Sequence, residues 1–230
     1  FFGHDDRVHP DVTQMPWRAV GLLTMGDGQC TATLIGPRTI ATAAHCMDGF
    51  GEGAVKGVTF RAGANGSAHQ GSARVVSALI APDYSDQSFP PNGGNGDDWA
   101  LLTLDHDLGL EIGFVRPYIF AKSDLEQIAT GEYLVSQMGY SWDTGPFPSG
   151  HMDCRILTAY RDGSMIHTCD TTRGDSGSPI LHQIDGEWRL IAVDSQFYDA
   201  QEPFLDMSSS HLAVDTRAFE RALRDAGTLD

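Results

Sequence analysis

Apolar and β-branched residues gather in short runs along this chain, and Gly, Pro, Asn or Asp fills most of the gaps. Eight runs read as strands: 18–25, 30–36, 57–63, 73–80, 99–104, 133–140, 154–160 and 188–196. Strands at this spacing predict barrels or a sandwich. The run TIATAAHCM (39–47) reads as a strand entering one helical turn. Residues 122–129 predict a short helix entered through Ser123. Residues 214–227 predict a longer one: Asp215 or Thr216 caps it, Ala218, Phe219, Ala222 and Leu223 line one face, and Gly227 ends it. The longest irregular piece is 82–98, where Pro90-Pro91 and several glycines oppose regular structure. Loops of that length inside compact domains are often functional.

A chain of 230 residues fits one large all-β domain or two small lobes sharing a cleft. Its net charge of −16 repels phosphate backbones and anionic headgroups, so neither nucleic acid nor a membrane is an expected partner. No apolar run approaches membrane-spanning length and no signal peptide is visible, which reads as a mature soluble form, with a monomer expected. The four cysteines, Cys30, Cys46, Cys154 and Cys169, include no C-x-x-C. They favour two disulfides over a zinc site, and hence a secreted or periplasmic setting. Nearest neighbours, Cys30–Cys46 and Cys154–Cys169, give one of three connectivities.

Other features are given bland readings. His4, Asp5, Asp6 and His9 lack a metal-ligand spacing and read as a solvated terminus. NGGNGDD lacks the EF-hand spacing, so no metal or cofactor is expected. Trp17, Trp142 and Trp188 read as core, and His106, between Asp105 and Asp107, as exposed.

Three short motifs carry chemistry. Serine nucleophiles need a base for the hydroxyl proton, an acid to orient that base, and donors for the oxyanion. ATAAHC offers His45, DDWALL offers Asp98 with Asp97 as rival, and GDSGSP offers Ser176. Each alone is compatible with a structural histidine or a polar turn. Together they occur in the order His, Asp, Ser. A hydrolase nucleophile elbow, G-x-S-x-G, is excluded because Ser178 stands at its last position.

These motifs resemble those of the trypsin/chymotrypsin-like serine proteases: T-A-A-H-C at 42–46, D-x-A-L-L at 98–102 and G-D-S-G-S-P at 174–179. FGHDDR (2–7) and CDTTRGDSGSP (169–179) resemble the bacterial branch that includes V8-like glutamyl endopeptidases. The resemblance implies two six-stranded antiparallel β-barrels, about 10–110 and 111–212, with the site between them and a C-terminal helix at 213–227. It implies that His45 is the base, Asp98 its orienting acid and Ser176 the nucleophile. Gly174 and Ser176 N–H groups would meet the oxyanion. Ser195 would pair with substrate backbone and support Asp98 through its hydroxyl. Protein or peptide substrates follow.

In such proteases the residues before the nucleophile and the strand near Ser195 wall the first specificity pocket. Here they are Asp170, Thr171, Arg173 and Asp194. Glutamyl endopeptidases of the family carry a histidine where this chain has Asp194. The acids favour Arg or Lys at the cleaved position by charge complementarity. Glutamate specificity, prompted by Arg173, is one alternative, and a catalytically silent binding protein on the same scaffold is the other. Asp175, the acid before the serine, pairs in trypsin-like enzymes with a processed N-terminal ammonium, which would be that of Phe1. Arg7 or hydrogen bonds are the alternative partner.

Overall fold

The computed structural model describes residues 4–85, 96–197 and 211–229. Six antiparallel strands close a first barrel: β1 (Val20–Met25), β2 (Gly28–Leu34), β3 (Thr39–Thr42), β5 (Val58–Ala62), β6 (Gly71–Ile80) and β7 (Ala100–Leu104). They run in the order β6-β5-β1-β2-β3-β7, and β6 pairs with β7 to close the ring. The two-residue β4 (Gly53–Ala54) adds at β6. A second barrel uses β9 (Leu134–Gly139), β10 (Ser149–Ala159), β11 (Ser164–His167), β12 (Pro179–Ile184), β13 (Glu187–Phe197) and β14 (His211–Asp215). Pairing of β12 with β13 closes that ring, and the short β8 (Arg116–Pro117) joins β13 in parallel. The all-β fold with two closed six-stranded barrels is as expected.

Period-two burial explains why these runs are strands. Along β6, Ala73 and Val75 are buried while Ser72, Arg74 and Val76 are exposed, and a register shift between Val75 and Ser77 makes Ala78 the next buried position. Closure removes the sheet edges that would otherwise pair with other chains. Gly21 on β1 lets the Phe60 ring lie flat inside the first barrel; a Cβ there would collide with that ring.

The C-terminal helix is shorter than expected. The run 211–215 is strand β14, and α3 covers only Glu220–Asp225. Asp215 is therefore no N-cap. It is buried at the strand's end, where Arg217 Nε and Nη2 donate to its two oxygens at 3.0 and 2.6 Å. Phe219 stacks on Trp99 at 5.3 Å, so the C-terminal segment packs onto the first barrel. Helix α2 spans Lys122–Thr130, but Ser123 does not cap it: Asp124 Oδ2 accepts the Ala121 N–H at 2.6 Å. A further helix, α1 (Leu108–Ile112), and strands β11, β12 and β14 were not among the sequence expectations.

Candidate active site

The cleft between the barrels has a volume of about 490 Å³, and its walls include His45, Asp98, Gly174, Ser176 and Ser195. Each side chain arrives from a different part of the fold. His45 sits in the 3-10 turn 44–47 that follows β3. Asp98 lies just before β7, the neighbour of β3 in the sheet. That pairing brings the two residues together although 53 positions separate them.

Asp98 is almost fully buried and accepts three hydrogen bonds. His45 Nδ1 lies 2.8 Å from Oδ2, the His45 backbone N–H donates to Oδ1 at 2.9 Å, and the Ser195 hydroxyl donates to Oδ2 at 2.5 Å. Because the carboxylate accepts, His45 Nδ1 carries the proton and Nε2 is free to act as a base. Burial depresses the His45 pKa, but the Asp98 hydrogen bond and charge outweigh it, so the net value lies above that of an ordinary histidine. Burial likewise pushes Asp98 upward, and its His45 and Ser195 partners reverse the shift to below the ordinary value. Burial instead leaves Asp97, the rival, above its ordinary value, with Asp83 and Asp162 adding to the rise.

Ser176 comes from the loop between β11 and β12 and is half-buried. The first barrel holds that loop in place. Thr31 on β2 receives the loop through two bonds: its N–H donates to Ser176 O at 2.9 Å, and its hydroxyl donates to Gly174 O at 3.0 Å. Gly174 has φ of +93°, and a Cβ there would lie 2.5 Å from Tyr140 O. Only glycine fits both the dihedral and the space. Two disulfides, Cys30–Cys46 and Cys154–Cys169, are present. The first ties the turn carrying His45 to β2.

The four residues expected to wall the specificity pocket, with Ser195 beside them, divide into two groups. Arg173 and Ser195 line the cleft. Asp170, Thr171 and Asp194 are buried. Asp170 Oδ2 accepts the Asp6 backbone N–H at 2.9 Å, and the Asp170 N–H donates to His151 Nδ1 at 3.0 Å. That nitrogen is thus an acceptor, and its 3.4 Å approach to Asp170 Oδ2 is not an ion pair. Asp194 is raised well above its ordinary value, chiefly by burial. His167 Nδ1 accepts the Cys169 N–H at 3.2 Å, so its Nε2 holds the single ring proton and donates it to Asp194 Oδ1 at 2.9 Å. Burial drives the His167 pKa down to about 3, in keeping with a neutral donor.

Sequence reasoning missed Gln29, Thr31 and Ser141. Trp142, expected in the core, is instead exposed on the cleft wall beside Gln29 and Arg173. A tryptophan following an apolar strand gives no sequence signal for this placement. Trp17 and Trp188 do pack together, 5.6 Å apart. Phe1 and most of the loop 82–98 lie outside the described residues. Asp175 has other partners: the Thr172 N–H and the Ser141 hydroxyl donate to its Oδ2 at 2.8 and 2.7 Å. No helix among the described residues is long and apolar enough to cross a membrane.

The comparisons with known proteins agree with the two-barrel fold. The family model described as Trypsin matches residues 7–203. A glutamyl endopeptidase of Bacillus licheniformis is 28% identical over 186 residues, covering 79% of this chain and 54% of that protein. A trypsin-like protease of Streptomyces glaucescens is 28% identical over 192 residues, covering 75% of this chain and 65% of its own length. The chain thus spans between about half and two thirds of these relatives. Among solved structures, a Glu endopeptidase in complex with MPD superposes with a TM-score of 0.76 at 20% identity, covering 98% of both chains.

Proposed function

This chain belongs to the trypsin family, and from that premise we propose that it is a serine endopeptidase acting through His45, Asp98 and Ser176. The observation that carries the reading is the buried Asp98 carboxylate, which holds His45 at both its ring and its backbone. Ser176 Oγ attacks the scissile carbonyl while His45 Nε2 takes its proton. Asp98 keeps the imidazole in the reactive tautomer and stabilises the imidazolium that forms. The Gly174 and Ser176 N–H groups receive the oxyanion. His45 then returns the proton to the leaving amine, and water releases the acyl group by the same steps in reverse.

The proposed preference is for Arg or Lys before the cleaved bond. Two buried acids adjoin Thr171: Asp170 precedes it in the chain, and Asp194 accepts its side-chain hydrogen bond. Burial raises the Asp194 pKa, and a cation brought close would favour its charged form. A substrate glutamate would meet the opposite sign. Arg173 on the cleft wall and the glutamyl endopeptidase relative favour a second reading, cleavage after Glu. The two disulfides support a secreted or periplasmic setting.

A peptide library varied at the cleaved position tests the proposal, with Ser176→Ala as control. Cleavage after Arg or Lys by wild type alone is the expected result. Cleavage only after Glu replaces the specificity reading. Absence of both turnover and phosphonate labelling at Ser176 overturns the enzyme reading in favour of a silent scaffold.

A further inference from the structure

Arg7 is charged, yet its side chain is only 6% exposed. Two carboxylates compensate it. Nε and Nη2 donate to Asp5 at 2.9 and 3.0 Å, and Nη2 also reaches Asp143 Oδ2 at 2.5 Å. A surface ion pair would need no more than this. But Nη1, which also donates to Asp143 Oδ1 at 3.2 Å, reaches the buried Ser141 hydroxyl at 3.0 Å. That hydroxyl lies 2.7 Å from Asp175 Oδ2, and Asp175 directly precedes Ser176.

With Asp175 ionised, the polarity of this chain of bonds is forced. A guanidinium only donates, so Ser141 Oγ must accept from Arg7. Its single proton then goes to Asp175. Ser149, 3.1 Å from Ser141 Oγ, is left to donate to it. Asp175 Oδ2 also accepts the Thr172 N–H, which folds residues 172–175 into a tight turn. Asp175 N–H closes the same turn onto Thr172 O at 3.1 Å, and Ser178 N–H donates to Asp175 O at 2.8 Å. The carboxylate is therefore the hub of the backbone that aims the Gly174 and Ser176 N–H groups.

The leading segment is itself pinned. Val8 and Gly150 exchange backbone bonds at 2.8 and 3.0 Å, and His9 Nδ1 lies 2.7 Å from Pro148 O. Asp6 N–H caps Asp170 at the start of the same loop. Residues 6 and 7 thus hold both ends of the stretch 170–175.

We propose that Arg7 is a positioning residue for the nucleophile loop, acting through Ser141 on the Asp175 carboxylate. This rests on the protease reading above, since the loop's shape matters most to the oxyanion donors. The electrostatics point the same way. Burial pushes Asp175 up to about 7, and Arg7 opposes that rise while Asp194 adds to it. Asp5 and Asp143 partly offset the Arg7 charge. Asp5 and Asp6, which read in sequence as part of a solvated terminus, become part of the support of the site.

The test uses Arg7→Gln, Arg7→Lys, Ser141→Ala and the Arg7→Gln/Ser141→Ala double variant in the full chain. Two quantities are read: amide hydrogen exchange across 172–177, and kcat and KM per site titrated with a phosphonate. Each of Arg7→Gln and Ser141→Ala is expected to speed loop exchange and lower kcat about ten-fold or more, with KM little changed. The double variant should be no worse than the poorer single, because one chain of bonds is broken in either case. Arg7→Lys should restore kcat only in part, lacking the fork that serves two carboxylates and a hydroxyl. Unchanged loop exchange, losses that multiply in the double variant, or a lower melting temperature with unchanged kcat per titrated site would each overturn the proposal. If wild type neither turns over nor labels, the protease reading fails, and loop exchange still decides the role of Arg7. Should Arg7→Gln not fold, Ser141→Ala, which keeps the ion pairs, carries the same comparison.

Discussion

The Ser195 hydroxyl donates to Asp98 Oδ2, the same oxygen that holds His45 Nδ1. Ser195 belongs to β13 of the second barrel, while Asp98 precedes β7 of the first. One short bond therefore holds the Asp98 carboxylate, and with it the His45 ring, across the barrel interface.

Ser195→Ala removes that donor and leaves a buried carboxylate with one partner fewer. A hydrogen bond to a charged group contributes about 1.5–3 kcal/mol, so kcat should fall about ten-fold or more. Steady-state kinetics on the best library peptide checks this. KM should change less than kcat, and an unchanged kcat would show that Asp98 is held by His45 alone.

The pH profile should follow His45. Its pKa is raised, so the base stays protonated to a higher pH than an ordinary histidine near 6.5. Activity should rise with pH through a midpoint above that value. The stability linked to this histidine runs the other way: it is complete below the unfolded pKa and is lost as pH rises through the folded one. A kcat/KM profile across pH 5 to 9 (roughly the window in which a histidine titrates) reads the midpoint. Asp98→Asn should abolish most of the rate.

Asp175 should impose a pH dependence on stability. Its pKa is near 7 when folded, against 3.8 as an ordinary carboxyl. Between those values the folded chain keeps a proton that the unfolded chain has released. Stability should therefore fall as pH rises through that window. Buried Asp194 contributes with the same sign. Urea midpoints across pH, compared between wild type and Asp175→Asn, should show a shallower fall in the variant.

Gly174→Ala should leave a folded protein with little turnover. The added methyl faces Tyr140 O and demands a left-handed backbone at φ of +93°. The turn must shift, and the N–H group aimed at the oxyanion shifts with it. Loss of one such donor costs about a hundred- to a thousand-fold in kcat. Kinetics alongside a thermal melt separates this from simple unfolding.

Much of the fold was legible because its signals are local. Alternation of apolar and polar residues is written residue by residue, so strands such as β1, β5 and β7 lay within the expected runs. The motifs around His45, Asp98 and Ser176 are also local, and their order in the chain is enough to suggest a catalytic set. The run 214–215 was misread as helix because the residues after it, Ala218 to Leu223, have helical spacing. What makes it a strand is pairing on both sides, with β11 and β13.

The sequence alone determined the strand-rich class, the chemical types offered for a nucleophile, base and acid, and the glycine needed beside Ser176. Tertiary structure decided which groups meet. Asp170 is bound by the Asp6 backbone, Trp142 stands in the cleft, and Arg7 reaches Asp175 through Ser141. Residues 7, 141 and 175 lie on three separate segments, and the fold brings them into contact. A short pattern along the chain records which residues can form a strand or a turn. It does not record distances across the fold, and charge pairing depends on those distances and on burial.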